Sequence, residues 1–314
     1  MLNKLRKISE RVLFHFERWQ AVKDPVAWRN KHPISPASDN PVVTFFTPIF
    51  EKQRAPDWNT VVQNLQTTVK AVRDQTNQNW RMIICSQDEP EGIDFDDQVV
   101  FLEYPTKHCG ESDKLLKLRY ISRFVARQYR DDGYAFFLDG DDIPHPDLVK
   151  FIVEDNNGQG YYVDQGYSAD LTTGDVFEHV ESDGRPKPFY LCCGSCNAVR
   201  FDCRKDRSHL LHVSLRGDHM SVIENTEKRV GLKLYPIPFA TMIYSVNHGT
   251  SDQDLIGRRG NYAHTAGVRL MDDQHTLGSS FKCNTQSPLG IGCCDGHTKQ
   301  APQQRGTWRD ISRA

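Results

Sequence analysis

An apolar run that ends abruptly in carboxylates constrains this chain more than any other stretch. Tyr134-Ala-Phe-Phe-Leu138 has the length and composition of a buried strand, with Gly133 before it and Asp139-Gly-Asp-Asp142 after it. A parallel strand delivers such residues to its carboxyl end, where open α/β sheets place ligands. Neighbouring carboxylates repel one another unless a cation joins them. Hard oxygen donors suit Mg²⁺ or Mn²⁺ shared with substrate phosphates, so Asp139, Asp141 and Asp142 are candidate metal ligands. The same residues also suit a simple turn, and Pro146 can open a helix with Leu148, Val149, Phe151 and Ile152 at helical spacing.

The pattern around this run is an alternation of strands and helices. Pro41 to Thr47, Trp80 to Cys85 and Val99 to Tyr104 read as strands. A helix with Val61, Val62, Leu65, Val69 and Val72 on one face follows the first strand, with Asp57 as its N-cap. Leu115, Leu116, Leu118, Ile121, Phe124 and Val125 mark another helix before Tyr134. Such spacing implies a mainly parallel sheet with crossover helices. Neither a GxGxxG fingerprint nor a Walker-type loop is present. After the acidic turn the pattern becomes mixed. Short strands are expected at 160–163, 174–177, 189–192, 196–201 and 232–237, with a short helix around 222–229.

Three segments follow from this organisation: a basic amphipathic lead and linker over 1–40, one domain over 41–256 and a polar tail over 257–314. The domain divides into a half of alternating strands and helices, 41–150, and a mixed half, 151–256. The lead, with Lys4, Arg6, Lys7, Arg11 and Arg18 among apolar residues, can rest on an anionic membrane face or pack on its own domain.

At 314 residues the chain can bury a sizeable core, and a net charge of −2 gives no global case for nucleic acid. No apolar run is long enough to span a bilayer, and Met1 to Arg11 is charged rather than export-like. The expected location is the cytoplasm, with peripheral contact at the inner membrane face through residues 1–20 as an option. Cys193-Gly-Ser-Cys196 with Cys203 nearby invites a zinc site, but one CxxC is thin support and buried cysteines also act as small hydrophobes.

The order of motifs over residues 41–251 resembles the GT-A-fold glycosyltransferases, family 2 in particular. The segments that carry it are Thr44-Phe-Phe-Thr-Pro48, Leu65-Gln-Thr-Thr-Val69 through Gln75-Thr76, Ile83-Ile-Cys-Ser-Gln-Asp88, Asp113-Lys114, Asp139-Gly-Asp141 and Gly194-Ser195. The resemblance implies a Rossmann-like, mainly parallel sheet flanked by helices, with a mixed acceptor-side half. It further implies a metal-dependent, inverting transfer of a sugar from a nucleotide-sugar, UDP-sugar favoured, to a glycan, lipid-linked or protein acceptor. Thr47, Pro48, Asp88, Lys114, Lys117 and Asp139 would then bind the donor. Mn²⁺ or Mg²⁺ would be held by Asp139, Asp141 and Asp142, joined by His248. The family often carries Gly-Glu-Asp ahead of a short helix, whereas this chain has Gly217-Asp218-His219, so Asp218 is the expected base and His219 can share or replace that role.

The chemistry asks for these residue types. A departing nucleoside diphosphate gathers charge on its phosphates, which a cation and lysines can stabilise. Inversion needs a base near the acceptor hydroxyl. Three other readings compete. A haloacid-dehalogenase-type phosphohydrolase also places Asp-x-Asp after a strand, but near the start of its domain and with a different following step. Nucleotidyl transfer on a related sheet would bring a glycine- and arginine-rich N-terminal signature, which is missing. A catalytically silent carbohydrate-binding or scaffold protein would not require the acidic triplet.

Overall fold

The computed structural model describes residues 23–105, 113–205, 218–251 and 268–270. The membrane-contact option for residues 1–20 falls outside them. So does the expected tail, except for 268–270. Among the described residues, no helix is long and apolar enough to cross a membrane.

The described residues begin with α1 (Pro25–Lys31), then β1 (Val42–Pro48), α2 (Trp58–Arg73), β2 (Trp80–Ser86), β3 (Val99–Glu103), α3 (Lys114–Gln128) and β4 (Asp132–Phe137). β1 to β4 and the helices between them match the sequence pattern to within about three residues at their ends, whereas α1 was not expected and the amphipathic spacing of Leu2 to Phe16 falls outside the described residues. Asp57 caps α2 by accepting the Asn59 amide at 3.0 Å. The linker before β1 is pinned in place: Ser35 N donates to Asp202 at 3.2 Å and Ser38 N to Asp132 at 2.9 Å.

Beyond the acidic turn lie β5 (Ile143–Pro144), α4 (Leu148–Asp155), β6 (Gly160–Tyr162), β7 (Gly166–Asp170), β8 (Val176–His179) and β9 (Asn197–Asp202). A short helix, α5 (Val222–Asn225), continues as a π-turn over Thr226–Val230, and β10 (Tyr235–Pro236), β11 (Met242–Val246) and β12 (Val268–Leu270) close the order.

The main sheet has seven strands in the order β10-β6-β9-β4-β1-β2-β3. β1, β2, β3 and β4 are mutually parallel, and β9 opposes both β4 and β6. β1 and β4 are central and buried on both faces, which explains why they read as continuous apolar runs rather than alternating ones. α3 packs on β1 and β2, α4 on β1. The result is a Rossmann-like α/β fold, as the alternation implied.

A second, five-stranded sheet runs β12-β8-β7-β11-β5. It supplies the mixed half. β5 and β7 escape the sequence reading because β5 is two residues long and β7 opens on Gly166, where a Cβ would lie 2.5 Å from Phe189 Cδ2. The strand expected at 189–192 is instead a 3₁₀ turn, Phe189–Leu191, following Pro186 and Pro188. Residues 268–270 join this sheet through β8.

Candidate active site

β1 sits between β2 and β4, so successive crossovers leave it in opposite directions and a crevice opens at the strands' carboxyl ends. Pro48 ends β1 there, and Leu138 and Asp139 follow β4. A cavity of about 230 Å³ occupies the crevice, bordered by Pro48, Lys114, Asp139, Asp141, Gly194 and His219 among others.

Asp139 is held on both sides. Its amide donates to Ser195 Oγ at 2.8 Å, and its carboxylate meets Lys114 Nζ at 2.7 and 2.8 Å. Gly194 lies so close that a Cβ there would stand 2.9 Å from Asp139 Oδ2, so a side chain would collide with the carboxylate.

Asp142 turns the other way. It is buried, and its Oδ2 accepts from Ser195 Oγ at 2.5 Å and Cys193 Sγ at 3.1 Å, while Oδ1 accepts the Ser245 amide at 3.3 Å. Burial, then the nearby Asp141 and Asp139 charges, push its carboxyl well above the usual range. Its role is to tie the acidic turn to the 193–195 loop and to β11.

Asp141 faces His248. The Ile143↔Ile243 and Pro144↔Met242 pairing of β5 with β11 brings them together, leaving Asp141 Oδ2 3.0 Å from His248 Nε2. The His248 side chain is buried, outside the cavity lining, with its Nδ1 2.8 Å from Thr250 Oγ1 and its Nε2 paired with the Asp141 carboxylate.

The expected four-residue metal set is thus divided. Among the described residues no three His, Cys, Asp or Glu side chains converge as a ligand group. Asp139 is paired with Lys114 and Asp142 is spent on internal donors, so Asp141, which lines the cavity and pairs with His248, is the remaining carboxylate there. Cys193 is one of those internal donors, and Cys192, Cys193, Cys196 and Cys203 form no disulfide among the described residues.

The donor-binding residues also separate. Lys114, Pro48 and Asp139 border the cavity. Lys117 reaches it too, but its ammonium is committed: it donates to Ile49 O at 2.7 Å and pairs with Asp113 at 3.1 Å, with Gln87 also on Asp113 at 2.8 Å. Thr47 is fully buried with its hydroxyl unmatched among the described residues. Asp88 lies outside the lining, where it accepts the Lys52 amide at 2.7 Å.

Asp218 and His219 exchange prominence. Asp218 is about two-thirds exposed and accepts the Met220 amide at 2.9 Å, capping a 3₁₀ turn, and it does not line the cavity. His219 does. Its Nδ1 lies 2.8 Å from the Tyr190 carbonyl, which can only accept, so Nδ1 carries the proton and Nε2 the lone pair in the neutral ring. Asp218 stands 3.9 Å from that Nε2.

Sequence reasoning did not single out Asn64, whose buried side chain borders the cavity from α2. Its signal was present, because a polar residue occupies a position on a face that is otherwise apolar.

No protein-family model and no curated protein sequence matches the chain. Solved structures similar to the chain include one designated a putative glucose-1-phosphate thymidylyltransferase, from Bacillus anthracis, at 13% identity and a TM-score of 0.36, over 70% of this chain and 97% of that one. Another is 4-diphosphocytidyl-2C-methyl-D-erythritol synthase from Anaerococcus prevotii, at 13% identity and a TM-score of 0.32, over 69% and 96%. Neither is designated a family 2 glycosyltransferase, and at these scores neither bears on the chemistry of the cavity.

Proposed function

We propose that the cavity binds a nucleotide-sugar together with a divalent cation and transfers the sugar to a hydroxyl of a glycan, lipid-linked or protein acceptor. The observation that carries this reading is the meeting of Asp139, Asp141 and Lys114 in the cavity at the carboxyl ends of β1 and β4, with His248 against Asp141. A carboxylate and an imidazole whose Nε2 stands 3.0 Å from it form a fitting pair of donors for Mn²⁺, and less so for Mg²⁺, which prefers oxygen throughout. Diphosphate oxygens and water would complete such a shell. A cation there would supply charge stabilisation to the departing diphosphate.

The chain's own residues do the rest. Lys114 stands at the first turn of α3, where its ammonium and the helix N-terminus both favour an anion. The Ser195 bridge and the close packing of Gly194 fix Asp139 and Asp142 on either side of Asp141 in the acidic turn. His219 Nε2 takes the place expected for Asp218: it can receive the proton of an acceptor hydroxyl while the Tyr190 carbonyl holds the ring. Transfer by direct attack of that hydroxyl would invert the anomeric centre.

Calorimetric titration of UDP with and without Mn²⁺ tests the reading. Binding should require Mn²⁺ and weaken at least tenfold in Asp141→Ala and in His248→Ala, whereas His219→Ala should lower turnover of a UDP-sugar without changing UDP affinity. Equal binding of UDP with and without the metal, or its survival in both ligand variants, would overturn it.

A further inference from the structure

Three polar groups of the mixed half gather at the end of β6. β6 pairs with β9, and the Val163 amide donates to the Cys196 carbonyl at 2.7 Å, so the ladder runs one residue past Tyr162. Alternation then puts Tyr161 and Val163 on one face, where both are buried, and Tyr162 and Asp164 on the other, where both are half-buried. Tyr190 reaches the same place from the 3₁₀ turn. The Phe189 amide donates to the Asp164 carbonyl at 2.8 Å, and the Tyr190 ring meets that of Tyr162 edge-on at 5.4 Å.

The Asp164 carboxylate and the Tyr162 and Tyr190 hydroxyls make no hydrogen bond or ion pair among the described residues, and none of their oxygens is sealed from solvent. Tyr161 and Tyr134 differ, since their hydroxyls donate to Asp155 at 2.8 Å and Asn156 at 2.9 Å. Partial burial raises the Asp164 carboxyl, and burial, followed by the Asp164 and Tyr190 charges, raises the Tyr162 phenol. A half-buried carboxylate without donors costs stability, so folding gains nothing from Asp164.

Sheet register places the cluster. Phe136 of β4 and Tyr161 of β6 both pair with Ala198, so these two strands run in the same direction on either side of β9. Asp139 and Asp164 each lie three residues beyond those pairs and leave the same edge of the sheet, two strands or roughly 10 Å apart. Tyr190 ties the cluster to the cavity: its carbonyl holds His219, which borders the cavity, while its ring contacts Tyr162.

The ligand class follows from the chemistry. A carboxylate only accepts and repels phosphate, whereas each phenol both donates and accepts. An amine would satisfy Asp164 yet has no acceptor for the phenol protons. An aliphatic chain would leave all three groups unmatched. Neighbouring sugar hydroxyls offer donors and acceptors together. We propose that Asp164, Tyr162 and Tyr190 form an acceptor subsite that binds hydroxyls of a neutral sugar, Asp164 accepting from them, with the reacting hydroxyl directed at His219. The acceptor role rests on the transfer reading given above and narrows it to an acceptor that presents a sugar.

Saturation-transfer NMR without metal or nucleotide tests the subsite, with the methyl glycosides of glucose, galactose, mannose and N-acetylglucosamine as probes, on the wild type, Asp164→Ala and Tyr162→Phe. At least one glycoside should bind the wild type and bind Asp164→Ala at least about tenfold more weakly, with a smaller loss in Tyr162→Phe. Calorimetric affinities for UDP in Mn²⁺ should agree within about twofold among the three proteins. Ligand-free Asp164→Ala should melt no lower than the wild type. No glycoside binding by the wild type, unchanged binding in Asp164→Ala, or a lower melting temperature for that variant would each overturn the assignment. A wild type that binds a glycoside but no UDP in Mn²⁺ would instead defeat the transfer reading, and the acceptor role with it.

Discussion

Replacing Ser195 with alanine removes one oxygen and strands two groups. Ser195 is fully buried, its Oγ accepts the Asp139 amide at 2.8 Å, and it donates to Asp142 Oδ2 at 2.5 Å. An unmatched buried donor or acceptor costs about 1–3 kcal/mol. Asp142 keeps Cys193 and the Ser245 amide as partners, so its loss falls at the low end, whereas the Asp139 amide has no second acceptor in its hydrogen bonds. The sum is about 2–4 kcal/mol. Urea unfolding at neutral pH should show it as a lower midpoint with the slope unchanged. A double-mutant cycle with Asp142→Asn should return a coupling of at least about 0.5 kcal/mol, as expected for residues in one network. A loss below about 0.5 kcal/mol in Ser195→Ala, or additive effects in the cycle, would refute the view that this hydroxyl joins the acidic turn to the 193–195 loop.

Two further outcomes follow from groups remote from the cavity. His179 is buried against Ser168 at 2.6 Å, and burial, helped by Lys187, lowers its pKa to about 4 from 6.5. The unfolded chain then binds more protons between those values, so this stability is present above pH 6.5 and is lost as pH falls through about 4, a loss of about 3 kcal/mol. Urea midpoints from pH 7 to 4 should fall more steeply in the wild type than in His179→Gln, and parallel curves would exclude the assignment. Asp132 pairs with the buried Arg200 at 2.5 Å and accepts the Ser38 amide, so Asp132→Ala leaves a buried guanidinium without its carboxylate. Thermal unfolding should report a loss of about 3–5 kcal/mol, and a loss under about 1 kcal/mol would show that Arg200 is satisfied without Asp132.

How much was legible from sequence differs by element. β1, α2, β2, β3, α3 and β4 were readable because each is a local pattern: an apolar run of strand length, or apolar residues at helical spacing with a cap such as Asp57. The acidic end of β4 was readable for the same reason, as contiguous residues at a predictable strand terminus. β5 and β7 were not, because a strand two residues long has no period to detect and Gly166 is explained only by the ring of Phe189 against it.

The division of the carboxylates shows the same boundary within the site. Asp139, Asp141 and Asp142 are nearly indistinguishable as letters, and sequence placed all of them on one metal. Lys114, arriving from α3, neutralises the first; the 193–195 loop and β11 absorb the third; β11 carries His248 to the second. Likewise Asp218 fitted the expected base by position, yet it caps its own turn while His219 enters the cavity. Sequence by itself determined the alternating α/β order, the central strands and the carboxylates at the end of β4, since local periodicity and backbone preference suffice for these. Which carboxylate meets a histidine, which one is buried and which histidine faces the cavity were decided only by tertiary structure. Each depends on partners delivered from distant segments, and hydrogen bonding and burial act through space rather than along the chain.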